Sequence, residues 1–348
     1  MKQFGMPQRN TKSKKINCIL AGQESKSCVL TEGNRLRKIW VILCVLILCT
    51  SILIIHISLE SIKLAVETPN GNFLTEITNS TIQRGIPYAQ DSNPHHLMNA
   101  YVPEGDGPFP AIVYIHGGGW TSGSRENYNI VGSFYAKRGI AGFSIDYTLT
   151  TQNNTSWPQA IQDVILAICH IRENSAQYRI NPEKVAVMGD SAGGHLAALV
   201  GTLSGNESFL ARIENNLTIS SRVCLVIDYY GPTDFQFIGE HGSNFNPYGL
   251  VEKFLGDATY EMNQSRWKEA SPATYITADD PVFVIAHGTR DSTVPIAISE
   301  SFISKLDEAG VETYFVEIDG GIHGFSDEEN IRVRYVLDPL LKQMFNLH

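Results

Sequence analysis

Residues 185–200 decide the fold: Val-Ala-Val-Met-Gly-Asp-Ser-Ala-Gly-Gly-His-Leu-Ala-Ala-Leu-Val. The first four are apolar, as in a buried strand, and from Ala192 onward alanine and leucine favour a helix. Between them, Gly189 to Gly193 fits the pattern G-x-S-x-G. A serine on so tight a turn has a strained backbone, and side chains two residues away would collide. The pattern predicts that Ser191 projects its hydroxyl beside the first free amides of the helix. The alternative is a glycine-rich turn with a buried serine.

A second glycine-rich loop follows another predicted strand and reads His116-Gly-Gly-Gly-Trp120. Consecutive glycines let backbone N–H groups face a substrate oxygen without an intervening side chain. We expect the amides of Gly117 and Gly118, together with that of Ala192, to donate to a developing oxyanion. Trp120, at the end of the loop, is expected to contact the substrate.

Ser191 needs a base and an acid that orients the base. His323 lies between glycines just after a predicted strand, and Asp291 lies just after another. The carboxyl ends of parallel strands meet at one edge of a sheet, so both side chains are expected beside Ser191. The chain order Ser, Asp, His is also the order of one class of hydrolases. Asp319 is the alternative for the acid, but it shares a loop with His323 and is better explained as a turn residue.

Predicted strands and helices alternate from residue 82 to the C-terminus, which implies a mostly parallel sheet with helices on both faces. Residues 233–280 interrupt this alternation and carry eight aromatic side chains. They form either an irregular excursion with its own small core or a lid over the carboxyl edge of the sheet. The predicted strands are Ile82–Tyr88, Leu97–Val102, Ala111–Ile115, Ala141–Ile145, Val185–Met188, Cys224–Tyr230, Val282–Ala286 and Thr313–Ile318. The predicted helices are Asn127–Arg138, Pro158–Asn174, one from Ala192, and Asn330–Asn346.

The first 80 residues have a different composition. Residues 1–38 carry nine basic and two acidic residues without apolar periodicity and are expected to form a disordered basic tail. Residues 39–59 contain no Asp, Glu, Lys or Arg, and as a helix they would span roughly the 30 Å hydrocarbon core of a bilayer. We therefore expect a transmembrane signal-anchor, then a linker at 60–80 and the main domain at 81–348. The basic residues before the run place the N-terminus in the cytoplasm and the main domain outside it, in a lumenal, periplasmic or extracellular space. A cleaved signal peptide is the alternative, which the long preceding tail disfavours.

Charge and cysteine content restrict the partners. The chain has a net charge of −9, and because residues 1–63 carry +7, the remainder carries −16. An acidic domain argues against a nucleic-acid partner, whose phosphates need a basic face. Cys169 and Cys224 each lie in an apolar run, which favours buried free thiols over a single disulfide bridge. His95 and His96 have no acidic or cysteine partners at ligand spacing, so we expect no metal.

These motifs resemble the α/β-hydrolase superfamily, and within it the hormone-sensitive-lipase-like esterases and the acetylxylan and feruloyl esterases. The resemblance runs from about Ile82 to the C-terminus. It implies an eight-stranded α/β-hydrolase sheet, a Ser191–His323–Asp291 triad and hydrolysis of carboxylic esters without a cofactor. Two positions depart from the pattern: Asn99 stands where the family often has Asp, and Thr148 where Arg is common. The matching pieces are His116–Trp120, Gly189–Ala198, His287–Pro295 and His323–Phe325.

Two classes of function fit these features. One is a membrane-anchored serine esterase that cleaves small ester substrates through an acyl-enzyme, and the other is a non-catalytic binding module on a hydrolase fold. The presence of Ser191, Asp291 and His323 together favours the enzyme, since a binding module needs none of them. Among enzymes, an amidase or peptidase is the alternative, because the same triad cleaves amides. The resemblance implies small acyl groups, and a packed segment 233–280 would exclude long chains.

Overall fold

The computed structural model of the chain describes residues 14–17, 73–203 and 219–347. One compact unit holds the described residues 14–17, 76–203 and 219–347 and contains the whole sheet. A second unit, residues 19–75, is described at residues 73–75 alone. The predicted anchor at 39–59 lies outside the described residues, as do the rest of the predicted tail beyond 14–17 and most of the linker. No helix in the described part of the chain is long and apolar enough to cross a membrane.

Nine strands form one sheet in the order β1-β9-β8-β7-β6-β4-β5-β3-β2. Strand β3 runs antiparallel to β2 and β5, and every other neighbouring pair is parallel. Strands β2 to β9 form the eight-stranded, mostly parallel sheet of the α/β-hydrolase fold, which confirms the predicted fold class. The strands are β1 (Lys14–Asn17), β2 (Ser80–Pro87), β3 (Leu97–Pro103), β4 (Phe109–Ile115), β5 (Ala141–Ile145), β6 (Ile180–Asp190), β7 (Leu225–Tyr229), β8 (Val282–Gly288) and β9 (Thr313–Ile318).

Helices connect the strands and pack against the sheet. Tyr135 Oη donates to Asp338 Oδ1 at 3.1 Å, which joins α1 to α9, while α2 packs against α4. The central strands are mostly apolar and buried where they pair with their neighbours, because both faces of the sheet are covered. The α-helices are α1 (Asn129–Ala136), α2 (Gln159–Glu173), α3 (Ser175–Tyr178), α4 (Ala192–Leu203), α5 (Phe235–His241), α6 (Tyr248–Phe254), α7 (Gln264–Glu269), α8 (Ala297–Ala309) and α9 (Asp327–Phe345), and two 3₁₀ helices span Arg125–Tyr128 and Pro272–Thr274.

The register of the central strands aligns their carboxyl ends at one edge. Ile115 at the end of β4 pairs with Gly189 of β6, and Gly288 at the end of β8 pairs with Ile318 of β9. The loops that follow these four strands therefore leave the sheet side by side. They are the loops that carry the predicted oxyanion donors, Ser191, Asp291 and His323.

The structure differs from the predicted elements in three places. Strand β1 pairs with β9 inside the stretch expected to be a disordered tail. The predicted helix Asn127–Arg138 is a 3₁₀ turn followed by α1. Helix α8 was not predicted, although Ile298, Phe302 and Leu306 recur every four residues on its buried face. Polar residues, among them Glu300, separate these apolar residues along the sequence, so the four-residue spacing was not recognised.

Residues 233–280 fold into α5, α6, α7 and the second 3₁₀ turn. Phe235, Phe254 and Trp267 are fully buried and join the main hydrophobic core. The segment is therefore an insertion whose own core is continuous with that of the sheet domain.

Both cysteines of the described domain are free thiols. The Cys169 thiol donates to the Ile219 carbonyl at 3.2 Å, and the Cys224 thiol to the Val185 carbonyl at 3.3 Å. The favoured expectation of two free thiols is therefore confirmed, except that Cys224 is half-buried rather than buried.

Candidate active site

Ser191 occupies the tight turn between β6 and α4 that its flanking glycines predict. Its backbone is left-handed, with φ of 53°, and its N–H donates to the Tyr229 carbonyl at 2.8 Å. A β-carbon on Gly189 would collide with the Gly193 backbone, and one on Gly193 would collide with the Ile115 carbonyl. Both positions must therefore be glycine for the serine to hold this conformation.

The structure brings Ser191, His323 and Asp291 together in one hydrogen-bonded chain. His323 Nε2 lies 2.9 Å from Ser191 Oγ, and His323 Nδ1 lies 2.7 Å from Asp291 Oδ2. Because a carboxylate at Nδ1 fixes the imidazole proton on that nitrogen, Nε2 is left as an acceptor facing the serine hydroxyl. The imidazole can therefore take the proton of the serine when the hydroxyl reacts.

Asp291 is held by its own loop. Its Oδ1 accepts from the N–H groups of Thr293 and Val294, both at 2.8 Å. Burial opposes ionisation of the carboxyl, but hydrogen bonds from His287, His323 and the Val294 amide outweigh it and hold the pKa of Asp291 well below its usual range. Asp291 is therefore a carboxylate at neutral pH. Asp319 lies elsewhere and accepts from Thr289 Oγ1 at 3.4 Å.

His287 contacts Asp291 and anchors the loop that carries it. Its Nε2 lies 2.7 Å from the Val294 carbonyl and 3.4 Å from Asp291 Oδ2. Since both of these oxygens only accept, Nε2 carries the proton, and Nδ1 accepts from Ser299 Oγ at 2.7 Å. Ser299 is a supporting residue that the sequence did not reveal, because it lies on the unpredicted helix α8.

The expectation for the oxyanion donors needs one correction. The Gly117 N–H donates to Asp190 Oδ1 at 3.1 Å and so is not available to a substrate. Within the described residues, no hydrogen-bond acceptor is found for the N–H groups of Gly118, Gly119 and Ala192. Gly118 and Gly119 have φ of 114° and 57°. The set of free donors is therefore shifted by one residue from the prediction, with Gly119 in place of Gly117.

Asp190 ties the oxyanion loop to the serine turn. Besides the Gly117 amide, its Oδ1 accepts from Tyr128 Oη at 2.8 Å. The loop is also fixed by His116, whose ring stacks on Tyr147 at 4.3 Å and whose Nδ1 donates to the Gly117 carbonyl at 2.8 Å. Burial lowers the pKa of His116, so this histidine is a neutral structural residue.

Trp120 is a core residue whose side chain is not exposed to a substrate, contrary to the expected contact. Its side chain is 1% exposed. The indole stacks on Phe254 with ring centroids 4.5 Å apart and meets Phe235 edge-on at 5.9 Å. His195 packs against the same rings, donates from Nε2 to the Ala270 carbonyl at 2.8 Å, and has its pKa lowered to about 4 by burial. Through these ring contacts, Trp120 connects the oxyanion loop to the insertion at residues 233–280.

His96 has acidic partners that the sequence did not reveal. Its Nδ1 lies 2.8 Å from Asp91 Oδ2 and its Nε2 lies 3.0 Å from Asp163 Oδ1. Asp163 is 67 residues away in the chain. Its other oxygen accepts from the Thr148 N–H at 2.7 Å. The cluster clamps the β2–β3 connection onto α2. Within the described residues, no group of three His, Cys, Asp or Glu side chains could hold a metal ion.

The departure at Asn99 has a local explanation. Its Nδ2 donates to Glu126 Oε1 at 2.9 Å, and its Oδ1 accepts from the Gly85 N–H at 3.0 Å. An aspartate there would place a second carboxylate against Glu126. The side chain lies away from the serine and leaves the site geometry unchanged.

The sequence of the chain matches a known protein family. The BD-FAE family model matches residues 98–306, more than half of the chain. The chain belongs to the BD-FAE family. The match includes Ser191 and Asp291 but ends before His323, which the structure brings to the other two. The predicted resemblance to α/β-hydrolase esterases is thereby confirmed.

Three relatives of this BD-FAE protein illustrate the likeness. Esterase LipQ of Mycobacterium tuberculosis is 30% identical over 231 residues, which are 66% of this chain and 53% of LipQ. A truncated carbohydrate esterase from gut microbiota is 26% identical with a TM-score of 0.64, covering 77% of this chain and 99% of that chain. Esterase 2 of Thermogutta terrifontis with butyrate bound is 26% identical with a TM-score of 0.62, covering 77% and 95%. The chain spans about half the length of the curated relatives that it matches.

Proposed function

We propose that this BD-FAE protein is a serine-dependent carboxylic ester hydrolase in which Ser191, His323 and Asp291 are the nucleophile, the base and the orienting acid. The observation that carries the proposal is the continuous chain from Ser191 Oγ through His323 to Asp291, with separations of 2.9 and 2.7 Å. Both distances lie within the range that proton transfer requires. A relative of 30% identity is named an esterase, which supports an ester over an amide as the substrate.

The reaction follows from the geometry. Ser191 Oγ attacks the carbonyl carbon of the ester while its proton passes to His323 Nε2. The carbonyl oxygen gains the negative charge and accepts from the free N–H groups of Gly118, Gly119 and Ala192. When the C–O bond to the alcohol breaks, His323 returns the proton to the leaving oxygen, and the acyl group stays on Ser191. Water then attacks the acyl-enzyme, with His323 again accepting a proton, and releases the acid.

The proposal extends to short acyl groups. The structural relative Esterase 2 has been solved with butyrate and with propionate bound, both small carboxylic acids. The insertion of this chain is anchored by fully buried aromatic side chains rather than attached loosely. We therefore expect acetyl to butyryl esters to be better substrates than long-chain lipids.

Replacing the nucleophile tests the proposed function. Ser191→Ala should lower kcat on p-nitrophenyl acetate by several orders of magnitude, since the serine acts as a unit with its base. The matched control is Ser265→Ala, which removes a hydroxyl from an exposed serine on α7. The assay is initial-rate kinetics on the full chain, with circular dichroism to compare the folds. Near-normal turnover by Ser191→Ala would refute the proposed function.

A further inference from the structure

The start of α6 and the residues just before it lie near two loops of the site, the oxyanion loop and the loop that carries Asp291. A β-carbon built on Gly119 would lie 3.6 and 3.8 Å from the two terminal methyl carbons of Leu250, which is ordinary van der Waals contact. Four residues earlier, Asn246 Nδ2 donates to the Ser292 carbonyl at 2.9 Å, directly after Asp291. Residues 246–250, which lead into α6 and form its first turn, thus lie beside the oxyanion loop and hydrogen-bond to the loop of the acid.

Leu250 is placed to face a ligand and not the core. Its side chain is 41% exposed, whereas Tyr248, Val251 and Phe254 of the same helix are buried. Exposing an apolar side chain of this size to water forgoes the free energy of burying it. Its position against Gly119, a free donor of the oxyanion loop, puts the exposed leucine at the mouth of the site.

The helix that carries Leu250 is rigidly fixed. Phe254 stacks on Trp120 at 4.5 Å. Tyr248 Oη accepts from the Tyr260 N–H at 2.9 Å and donates to Glu261 Oε2 at 3.0 Å. Leu250 therefore forms a fixed wall, and a substrate group that meets it must fit.

The chemistry decides which part of the ester meets this wall. In the tetrahedral intermediate the leaving oxygen faces His323 Nε2, because that atom returns the proton. The oxyanion faces the free amides of Gly118, Gly119 and Ala192. The acyl substituent takes the remaining direction, and Leu250 lies beside Gly119 of the oxyanion loop. We propose that Leu250 is the residue that limits acyl chain length, an inference that rests on the proposed ester hydrolase function.

Substitutions of opposite size at Leu250 test this inference. The readout is kcat/KM of the full chain on p-nitrophenyl esters from acetyl to decanoyl. Leu250→Ala should raise the octanoyl-to-acetyl ratio of kcat/KM by about tenfold or more, because each methylene admitted to an apolar pocket is worth roughly that factor. Leu250→Phe should lower the same ratio. The control is Met262→Ala, which truncates an 84% exposed apolar side chain elsewhere in the insertion and should leave the ratio unchanged.

A second substrate series separates the acyl from the alcohol side. Acetyl esters of alcohols of increasing length should respond equally in the parent and in both Leu250 variants. An unchanged acyl profile, or a change confined to the alcohol series, would overturn the role of Leu250 while Ser191-dependent activity still supports the ester hydrolase. Activity that survives Ser191→Ala would overturn both proposals.

Discussion

At the scale of single residues, three of the six non-glycine residues with positive φ in the described part of the chain belong to the serine turn and to the loops next to it. Ser191, Trp120 and Tyr230 are non-glycine residues with φ of 53°, 57° and 45°. Such conformations cost on the order of 1–3 kcal/mol each and persist where surrounding contacts determine them. Hydrogen bonds from Ser191 to the Tyr229 carbonyl, and from Tyr230 to the Ala286 carbonyl, both at 2.8 Å, hold two of the three residues in place. These backbone conformations place the serine hydroxyl 2.9 Å from His323 Nε2 and the ring of Tyr230 4.8 Å from the His323 ring.

Asp228 gives a prediction at this scale. It is fully buried at the centre of β7, and its Oδ1 accepts from the Gly231 N–H at 2.9 Å, while Oδ2 has no partner within the described residues. Burial raises the pKa of Asp228 to about 7, against about 3.9 in an unfolded chain. Between these values the folded chain keeps a proton that the unfolded chain loses. The contribution of Asp228 to the free energy of unfolding is therefore fully present below about pH 4 and is lost as the pH rises to about 7.

Asp228→Asn removes this dependence, because the amide never has to lose a proton. We expect the melting temperature of Asp228→Asn to exceed that of the parent by a few degrees at about pH 8 and by much less at about pH 5. Differential scanning calorimetry at the two pH values measures this. The matched control is Asp106→Asn, an exposed carboxyl that should show no such difference. An equal shift at both pH values would contradict the prediction.

At the scale of elements, three pieces of the chain meet at the Asp190 side chain: the oxyanion loop, the serine turn and the 3₁₀ helix that ends at Tyr128. Asp190→Ala removes the acceptor that holds Gly117 and lets the loop shift. A misplacement of about 1 Å costs on the order of 10²-fold in rate. We expect kcat on p-nitrophenyl acetate to fall by about that factor with little change in KM, since the free amides act mainly on the transition state.

Asp190→Asn is the matched variant, because its Oδ1 still accepts from Gly117 and Tyr128. It should recover most of kcat, which a purely electrostatic role of the carboxylate would not allow. If Asp190→Ala keeps the parental kcat, then the loop is positioned by other contacts.

The sequence predicted an element well where a single local residue pattern determines that element. Strand β9 has the predicted bounds, Thr313–Ile318, because it is a compact run of alternating and apolar residues next to glycines. The serine turn was predictable because the G-x-S-x-G pattern is local, although only the collision at Gly189 lies within the turn and the one at Gly193 is with the distant Ile115 carbonyl. The bond from Gly117 to Asp190 spans 73 residues, and no local pattern marks it. The donors were therefore predicted one residue too early.

At the scale of the whole molecule, the charge distribution divides the chain. Residues 1–63 carry +7 and the rest −16. The uncharged run at 39–59 is long enough to span a bilayer. We propose that it anchors the protein with its acidic domain on the non-cytoplasmic side.

Membrane fractionation tests the anchor. The full-length protein should stay in the membrane pellet after washing with alkaline carbonate, and a variant with Leu46→Arg and Leu48→Arg should be released, since each central arginine costs about 2.5–3.5 kcal/mol of insertion. Protease added to the outer or lumenal side should digest the domain. Protection of the domain from that side would reverse the proposed topology.

Sequence patterns could not predict contacts between side chains that are far apart in the chain. His96 and Asp163 illustrate this, because each looks unremarkable within its own segment and they meet only through the packing of α2. Trp120 illustrates the same point, since its place after the glycines suggested a ligand contact. Its actual neighbours, Phe235 and Phe254, lie more than a hundred residues further along the chain.

The bond from His195 to the Ala270 carbonyl has a consequence for protein engineering. It joins the helix that follows the serine to the far end of the insertion, and the stacked rings of Trp120 and Phe254 join the oxyanion loop to the same insertion. A chimaera that exchanges residues 233–280 for the matching segment of another esterase would break both connections at once. Such grafts will need His195 and Trp120 exchanged with the segment, and limited proteolysis inside it should abolish activity and tertiary structure in a single step.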